Sequence, residues 1–336
     1  MLSASPGLLC CIGPSRHGRP KQTWQIQMDV SLSVCYNLDM KRNMNKKQKT
    51  FAAILVIIAA AGAYLHFENT SLTITAHEIS SEKIPQNFDG YEIMQISDLH
   101  NANSAKLTGD LISRIKENSP DIAVITGDTI DSRHTDTEAA LDVVRQISEV
   151  CPVYYVAGNH EARIDEYETF AEDLAGMGVH ILTNGAEQIK IGDESINIVG
   201  IDDPDFAHEF GVEDSVIAAS FLEGIEYDKG NYTVLLSHRP ELIDAYSQAG
   251  VDLVFSGHAH GGQIRLPFVG GLIAPDQGLL PEYTSGAYEK GDTVMVVSRG
   301  IGNSIFPLRI NNRPELVSVT KTQNLSSMVN VSRMTI

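Results

Sequence analysis

The segment Gly257-His258-Ala259-His260-Gly261-Gly262-Gln263 sets two imidazoles one residue apart between glycines, directly behind the apolar run 251–255. Taken singly, such a turn reads equally well as a solvated surface loop. Four other segments change that reading. Asp98-Leu99-His100 follows Ile96-Ser97, and Gly127-Asp128-Thr129-Ile130-Asp131 follows Ile125-Thr126. Gly158-Asn159-His160-Glu161 follows Val156-Ala157, and His238-Arg239-Pro240 follows Leu236-Ser237. Five apolar runs thus each end on Asp, Asn or His. Carboxylate and amide oxygens with imidazole nitrogens, and no thiolate, suit Mn²⁺, Fe²⁺, Zn²⁺ or Mg²⁺ rather than copper(I) or an iron–sulfur cluster. Seven candidate ligands are too many for one tetrahedral ion. Two divalent ions are expected, about 3.5–4 Å apart and bridged by a carboxylate, which makes a clamp for in-line displacement at phosphorus.

The elements that must position these residues are legible from pattern. Residues 92–97, 121–126, 152–157, 232–237 and 252–256 read as buried strands rich in Ile, Val, Leu and Tyr. Residues 105–118, 137–150, 167–177, 212–222 and 240–248 carry apolar side chains at helical spacing. Strand and helix in alternation predict an α/β domain with parallel crossovers, whose strand carboxyl ends border the binding crevice. Later strands at 188–191, 196–199, 293–298 and 316–320 have fewer helices between them and suggest a second, mixed sheet. The Gly/Pro-rich stretch 267–280 reads as a long loop.

In that order, D-x-H, G-D-x-x-D, G-N-H-E, a lone His and G-H-x-H resemble the calcineurin-like metallophosphoesterase family over roughly residues 92–320. The resemblance implies a four-layer α/β/β/α sandwich of two mixed β-sheets with a dinuclear site on one edge. It puts Asp98, His100 and His260 on one ion, Asn159, His238 and His258 on the other, and makes Asp128 the bridge. His160 becomes the proton donor to the leaving group, oriented by Asp131. Two cations would also lower the pKa of a shared water and polarise phosphoryl oxygens. One departure stands out. Phosphoprotein phosphatases of this group place Arg directly after G-D-x-x-D, whereas Ser132 stands here and Arg133 is one step late. Arg133 and Arg239 are the candidate phosphate contacts. The S-H-R-P and G-H-A-H-G-G-Q forms look like the bacterial membrane-associated phosphodiesterase branch, linked with UDP-2,3-diacylglucosamine hydrolysis and with phospholipid or envelope substrates. The expected function is a membrane-anchored dinuclear-metal phosphoesterase acting on a phosphodiester or pyrophosphate, with a phosphoester small molecule or lipid as substrate. A phosphomonoesterase and a non-catalytic metal-binding envelope module stay open as alternatives.

Charge and composition bound the rest. The 336-residue chain has a net charge of −18, and its first 50 residues hold eight Lys/Arg against two Asp, leaving −24 on the remainder. An acidic body of that kind repels nucleic-acid backbones, so no nucleic-acid partner is expected. No obligatory protein partner is evident either. Cys10, Cys11 and Cys35 fall in the extension and only Cys151 in the body, which excludes an intradomain disulfide framework there. Lys41, Arg42, Lys46, Lys47 and Lys49 precede the uncharged run 51–67. This predicts a single-pass signal anchor with the body outside the cytoplasm, and a cleaved signal peptide is the alternative. The expected organisation is a basic, disordered extension at 1–50, the anchor at 51–67, the phosphoesterase domain at 71–322 and a polar tail at 323–336. The acidic turn Asp202-Asp203-Pro204-Asp205, with His208, is a candidate edge of the substrate site.

Overall fold

The computed structural model describes residues 45–102, 104–207, 210–303, 308–323 and 332–335. Residues 1–44 of the expected extension, with Trp24 and three cysteines, lie outside them, as do His208 and most of the tail. Two units are distinguished, Met1–Ala59 and Ala60–Ile336. Helix α1 (Lys46–Thr70) begins in the first and ends in the second. It extends beyond the expected run on both sides, and it is long and apolar enough to cross a membrane.

In the second unit, strands β1 (Thr73–Ser81), β2 (Glu92–Ile96), β3 (Ile122–Thr126), β4 (Val153–Val156) and β5 (His180–Ile181) alternate from β2 on with helices α2 (Ala105–Asn118), α3 (Thr137–Ser148) and α4 (Tyr167–Gly176). Strands β6 (Gly185–Ile191), β7 (Glu194–Gly200), β8 (Thr233–Leu236) and β9 (Leu253–Ser256) follow, with helices α5 (Asp214–Gly224) and α6 (Ile243–Ala249) among them. Two small hairpins come next, β10 (Arg265–Leu266) with β11 (Gly270–Gly271), and β12 (Ile273–Ala274) with β13 (Gly278–Leu279). The chain closes with β14 (Gly286–Lys290), β15 (Thr293–Val297), β16 (Glu315–Gln323) and β17 (Ser332–Thr335).

The first sheet has the order β17-β1-β16-β2-β3-β4-β5 and the second β14-β15-β9-β8-β7-β6. Parallel and antiparallel pairs occur in both, so both are mixed. Period-two alternation explains why they stack. In β2 to β4, Met94, Ile96, Ala123, Ile125, Val153 and Tyr155 pack with α2, α3 and α4. Their alternates Ile93, Val124, Tyr154 and Val156 meet Ile198, Val234, Leu236 and Phe255 of the other sheet. On the far side Val199, Leu235, Val254 and Met295 pack against α5 and α6. The layers are therefore helix, sheet, sheet, helix. Phe255 is fully buried between the sheets, and Phe255→Ala would cost about 3–5 kcal/mol.

Helix ends follow local chemistry. Asp136 caps α3 by accepting from Ala139 N–H at 3.0 Å. α3 stops at Ser148, earlier than the expected 150, because Val150 and Cys151 N–H both turn back to the Ile147 carbonyl. Two expectations change. The stretch 267–280 is two hairpins rather than an unstructured loop, and the end of the expected tail pairs antiparallel with β1. Strand β1 itself went unread in the sequence; it pairs in parallel with β16 over its whole length. Strands β2, β3 and β4 run parallel, as do β7, β8 and β9, so their carboxyl ends deliver the five Asp, Asn and His segments to one edge.

Candidate metal centre

The turns that leave these strands are sharp. Asp98, Asp128, His258 and His260 adopt φ of 51°, 52°, 64° and 45°, a left-handed backbone that costs a side-chain-bearing residue of order 1 kcal/mol or more. Bonds from neighbouring loops hold them there. The buried Glu161 carboxylate accepts from Gly158, Asp128, Thr129 and Ile130 N–H at 2.7–3.0 Å, tying two of the turns together. The Asp98 carboxylate accepts from His258 N–H at 3.1 Å, which ties the β2 turn to the β9 turn. Gly257 is required between them, because a Cβ there would collide with Ser97 Oγ and Asp98 Oδ2.

Donor atoms converge in two clusters that share Asp128. Asp98, His100, Asp128 and His260 form one, and Asp128, His238 and His258 the other, each with donors within 4.8 Å of one another. In the first, His260 Nε2 lies 3.2 Å from both Asp98 Oδ1 and His100 Nε2, and His100 Nε2 is 3.7 Å from Asp128 Oδ2. In the second, His238 Nε2 lies 3.3 Å from Asp128 Oδ2, 3.1 Å from Asn159 Oδ1 and 3.1 Å from His258 Nδ1. All seven expected donors are therefore together and nearly inaccessible to solvent.

The donor chemistry fits a pair of cations. His238 Nδ1 is 2.7 Å from the Thr126 carbonyl, so this nitrogen donates and Nε2 is left as a lone-pair donor. His258 Nε2 is 2.8 Å from Asp276 Oδ2, which leaves Nδ1 in the same state. Asn159 Oδ1, His238 Nε2 and His258 Nδ1 thus point lone pairs at one another, an arrangement that a cation satisfies. Turning the Asn159 amide over would instead give Nδ2 to both rings and the oxygen to Arg163. That orientation satisfies the residues in a metal-free site; with a cation bound, the oxygen belongs inside. Burial pushes His100 down to about 4, keeping the ring neutral, although Asp128 opposes the shift. Burial would raise Asp128, but the facing His238, His100 and His160 outweigh it and hold it well below the usual carboxylate range.

His160 stands beside both clusters. Its Nε2 is 4.0 Å from Asp128 Oδ2, and its Nδ1 accepts from Ser132 N–H at 3.0 Å. With Nδ1 occupied, the proton of the neutral ring sits on Nε2, facing the donors. Burial lowers the His160 pKa, with Asp128 and Asp131 opposing. The orienting bond expected from Asp131 is made by the Ser132 backbone instead. Asp131 Oδ1 lies 3.5 Å from Nδ1, and its carboxylate is gripped by Arg133 through Nε at 2.9 Å and Nη2 at 2.8 Å. Burial would raise Asp131, but those bonds outweigh it and hold the group down at about 2.

Arg239 requires a correction. It was expected to contact substrate phosphate, yet its guanidinium is buried and all five N–H donors go to carboxylates. Nε and Nη2 hold Asp203 at 2.8 Å each, Nη2 also holds Asp205 at 2.7 Å, and Nη1 reaches Asp214 at 2.8 Å and Asp276 at 3.3 Å. Nothing is left for a ligand. In the acidic turn Asp203 and Asp205 serve Arg239, Asp205 also holds the Arg163 guanidinium, and Asp202 pairs with Asn184. Two residues went unread in the sequence. Asp276 orients His258 from the second hairpin, and the half-exposed Arg163 has its Nη1 3.0 Å from the outer atom of the Asn159 amide. Asp276 has no local marker. Arg163 had one, its place three residues after His160.

The profile of the calcineurin-like phosphoesterase family matches residues 91–262. A Bacillus subtilis (strain 168) protein named uncharacterized metallophosphoesterase YkuE is 31% identical over 277 residues, covering 78% of this chain and 91% of its own. Phosphodiesterase YaeI of Escherichia coli (strain K12) is 26% identical over 271 residues, covering 79% and 94%. A Danio rerio protein named transmembrane protein with metallophosphoesterase domain is 26% identical over 293 residues; the match covers 82% of this chain and 63% of that protein.

Proposed function

The chain belongs to the calcineurin-like phosphoesterase family and is a metal-dependent phosphoester hydrolase that binds two divalent cations; on that premise, we propose that it is a membrane-anchored phosphodiesterase. Asp98, His100 and His260 would hold one ion, Asn159, His238 and His258 the other, with Asp128 shared between the two sets. The observation that carries this reading is the pair of donor clusters sharing one carboxylate. When bound, two such cations supply an activated water and polarise the phosphoryl oxygens. The chain's own residues do the rest. Asp128 keeps the two clusters in register, since its other oxygen, Oδ1, accepts from His160 N–H at 2.9 Å. As the imidazolium, with its Nδ1–H turned to Ser132 Oγ and Asp131, His160 gives its Nε2 proton to the leaving oxygen as the P–O bond breaks and is left as the neutral ring. Asp131 stabilises the charged ring between turnovers, while Arg133 fixes Asp131 and offers its remaining N–H groups to a substrate phosphate. Arg163 is a second exposed cation at the mouth of the Asn159 cluster.

Support for a diester comes from the relative named phosphodiesterase and from the displaced Arg after G-D-x-x-D, which removes the clamp expected for phosphoproteins. Support for the anchor comes from α1, from the basic residues before it, and from the Danio rerio relative's name. The body stands outside the cytoplasm in this reading. A membrane-derived lipid substrate fits that placement, whereas a UDP-sugar lipid would fit a cytoplasmic body. The test compares bis(p-nitrophenyl) phosphate with p-nitrophenyl phosphate, with and without chelator. Preferential, chelator-sensitive diester cleavage is expected; monoester preference or chelator-insensitive turnover would refute the reading.

A further inference from the structure

We propose that the two hairpins between Arg265 and Leu279 are a membrane-docking surface that seats the mouth of the metal centre on the bilayer, an inference that rests on the reading of α1 as an anchor. The segment 264–281 holds one Arg and one Asp in 18 residues, within a chain of net charge −18. Both charges are engaged on the protein: Arg265 Nη1 donates to the Gly261 carbonyl at 2.8 Å, and Asp276 accepts from His258 and Arg239. Apart from the half-exposed Asp276 carboxylate, what the hairpins offer to solvent is apolar. Leu266, Phe268, Val269, Ile273, Leu279 and Leu280 all project outward, Phe268 fully and Leu279 at 77% exposure. Phe268 stands at φ 68° in the first hairpin's turn, where Gly or Asn is the usual choice. A cluster of large apolar side chains on two adjacent turns is rare on a surface that faces only water.

The anchor says what covers it. The last turns of α1 are bonded to the strip that carries these hairpins. Tyr64 Oη donates to Asn311 Oδ1 at 2.5 Å, and Asn311 Nδ2 donates in turn to the Arg265 carbonyl at 3.1 Å. Asn69 exchanges two bonds with Arg309, at 2.8 and 3.0 Å, and Glu68 accepts from Asn312 N–H at 2.9 Å. Arg265 N–H also bonds the Ile310 carbonyl at 3.0 Å, so helix end, strip and first hairpin form one hydrogen-bonded unit. The uncharged run of α1 ends at Phe67. Groups bonded to the helix there lie where the chain leaves the bilayer, and the apolar turns are continuous with them. The same hairpins border the donors, because Leu272 N–H bonds the Gly262 carbonyl at 3.1 Å and Asp276 holds His258. Docking would therefore bring a phosphoester at the membrane surface directly to the site.

The test uses the full chain in phosphatidylcholine/phosphatidylglycerol vesicles whose acyl chains are dibrominated, which quench tryptophan on contact. Trp24 is the only tryptophan, so Trp24→Phe gives a silent background. Into it go Phe268→Trp, Leu55→Trp within the anchor, and Asp193→Trp in the β6–β7 turn, at the sheet end opposite the donors. Strong quenching at 55, at least about twofold quenching at 268 and little at 193 are expected for a surface that enters the headgroup region. Position 268 behaving like 193 while 55 is quenched would overturn the proposal. So would protection of 268 by self-association of the chain in detergent. No quenching at 55 would refute the anchor and this surface with it. Cleavage of bis(p-nitrophenyl) phosphate by the same vesicles reads the enzymatic assignment independently.

Discussion

Replacing His160 with Asn separates proton donation from ion binding. The ring is not among the seven donors, and the His160 backbone N–H that bonds Asp128 survives the substitution. Both ions and most of the stability should therefore remain. What is lost is the Nε2 proton of the charged ring, whose Nδ1 lies 3.1 Å from Ser132 Oγ and 3.5 Å from Asp131 Oδ1. A positioned general acid is worth roughly 10²–10⁴ in rate, or about 3–5 kcal/mol of barrier. That worth depends on how badly the leaving oxygen needs the proton. In a series of methyl aryl phosphates, the loss should be near the low end for p-nitrophenolate and grow as the phenol becomes less acidic. The plot of log kcat against leaving-group pKa should accordingly steepen in the variant. Metal analysis of the same preparations supplies the control. An equal loss across the series, or departure of an ion, would show that His160 supports the site's structure and holds no transferable proton.

Other expectations follow from the same contacts. Asp128→Ala should empty both clusters, so metal content should fall further than in His258→Ala, which touches only one. Asp276→Asn weakens the partner of His258 Nε2 and should lower affinity for one ion by about 10–100-fold in a Mn²⁺ titration, while Asp203, Asp205 and Asp214 keep Arg239 in place. Equal weakening of both ions would refute that route. Lys321 tests a buried cation far from the chemistry. Its Nζ lacks a hydrogen-bond acceptor among the described residues and sits 4.6 Å from the Tyr91 ring centre and 5.3 Å from that of Phe88. Burial pushes it down to about 7, with Asp121 opposing. The unfolded chain then binds more protons than the folded one between pH 7 and Lys321's usual range, so stability rises with pH across that window. Lys321→Met should remove this slope in urea titrations, and an unchanged slope would refute the assignment.

The gathering of the candidate donors was legible because they come just after runs of strand residues buried on both faces. Such a run has fixed ends, and a residue placed immediately after it is delivered to the sheet edge whatever the loop does later. That logic located Asp98, Asp128, Asn159, His238 and His258 from sequence, and Gly257 marked the close approach of two turns. It fails where position depends on meetings between distant segments. Strand β1 escaped because Thr, His, Glu and Ser dilute its apolar positions, and its partner β16 lies more than 200 residues away. Arg239 shows the limit most clearly. Beside a metal-binding His in an acidic protein, an Arg looks like a phosphate clamp, and nothing within ten residues contradicts this. Its four carboxylates come from positions 203, 205, 214 and 276, and only the folded chain brings them together. Because Asp276 also holds His258, this caged arginine still touches one donor cluster at one remove. It braces the carboxylate that orients His258, so it bears on that ring through two hydrogen bonds rather than by touch.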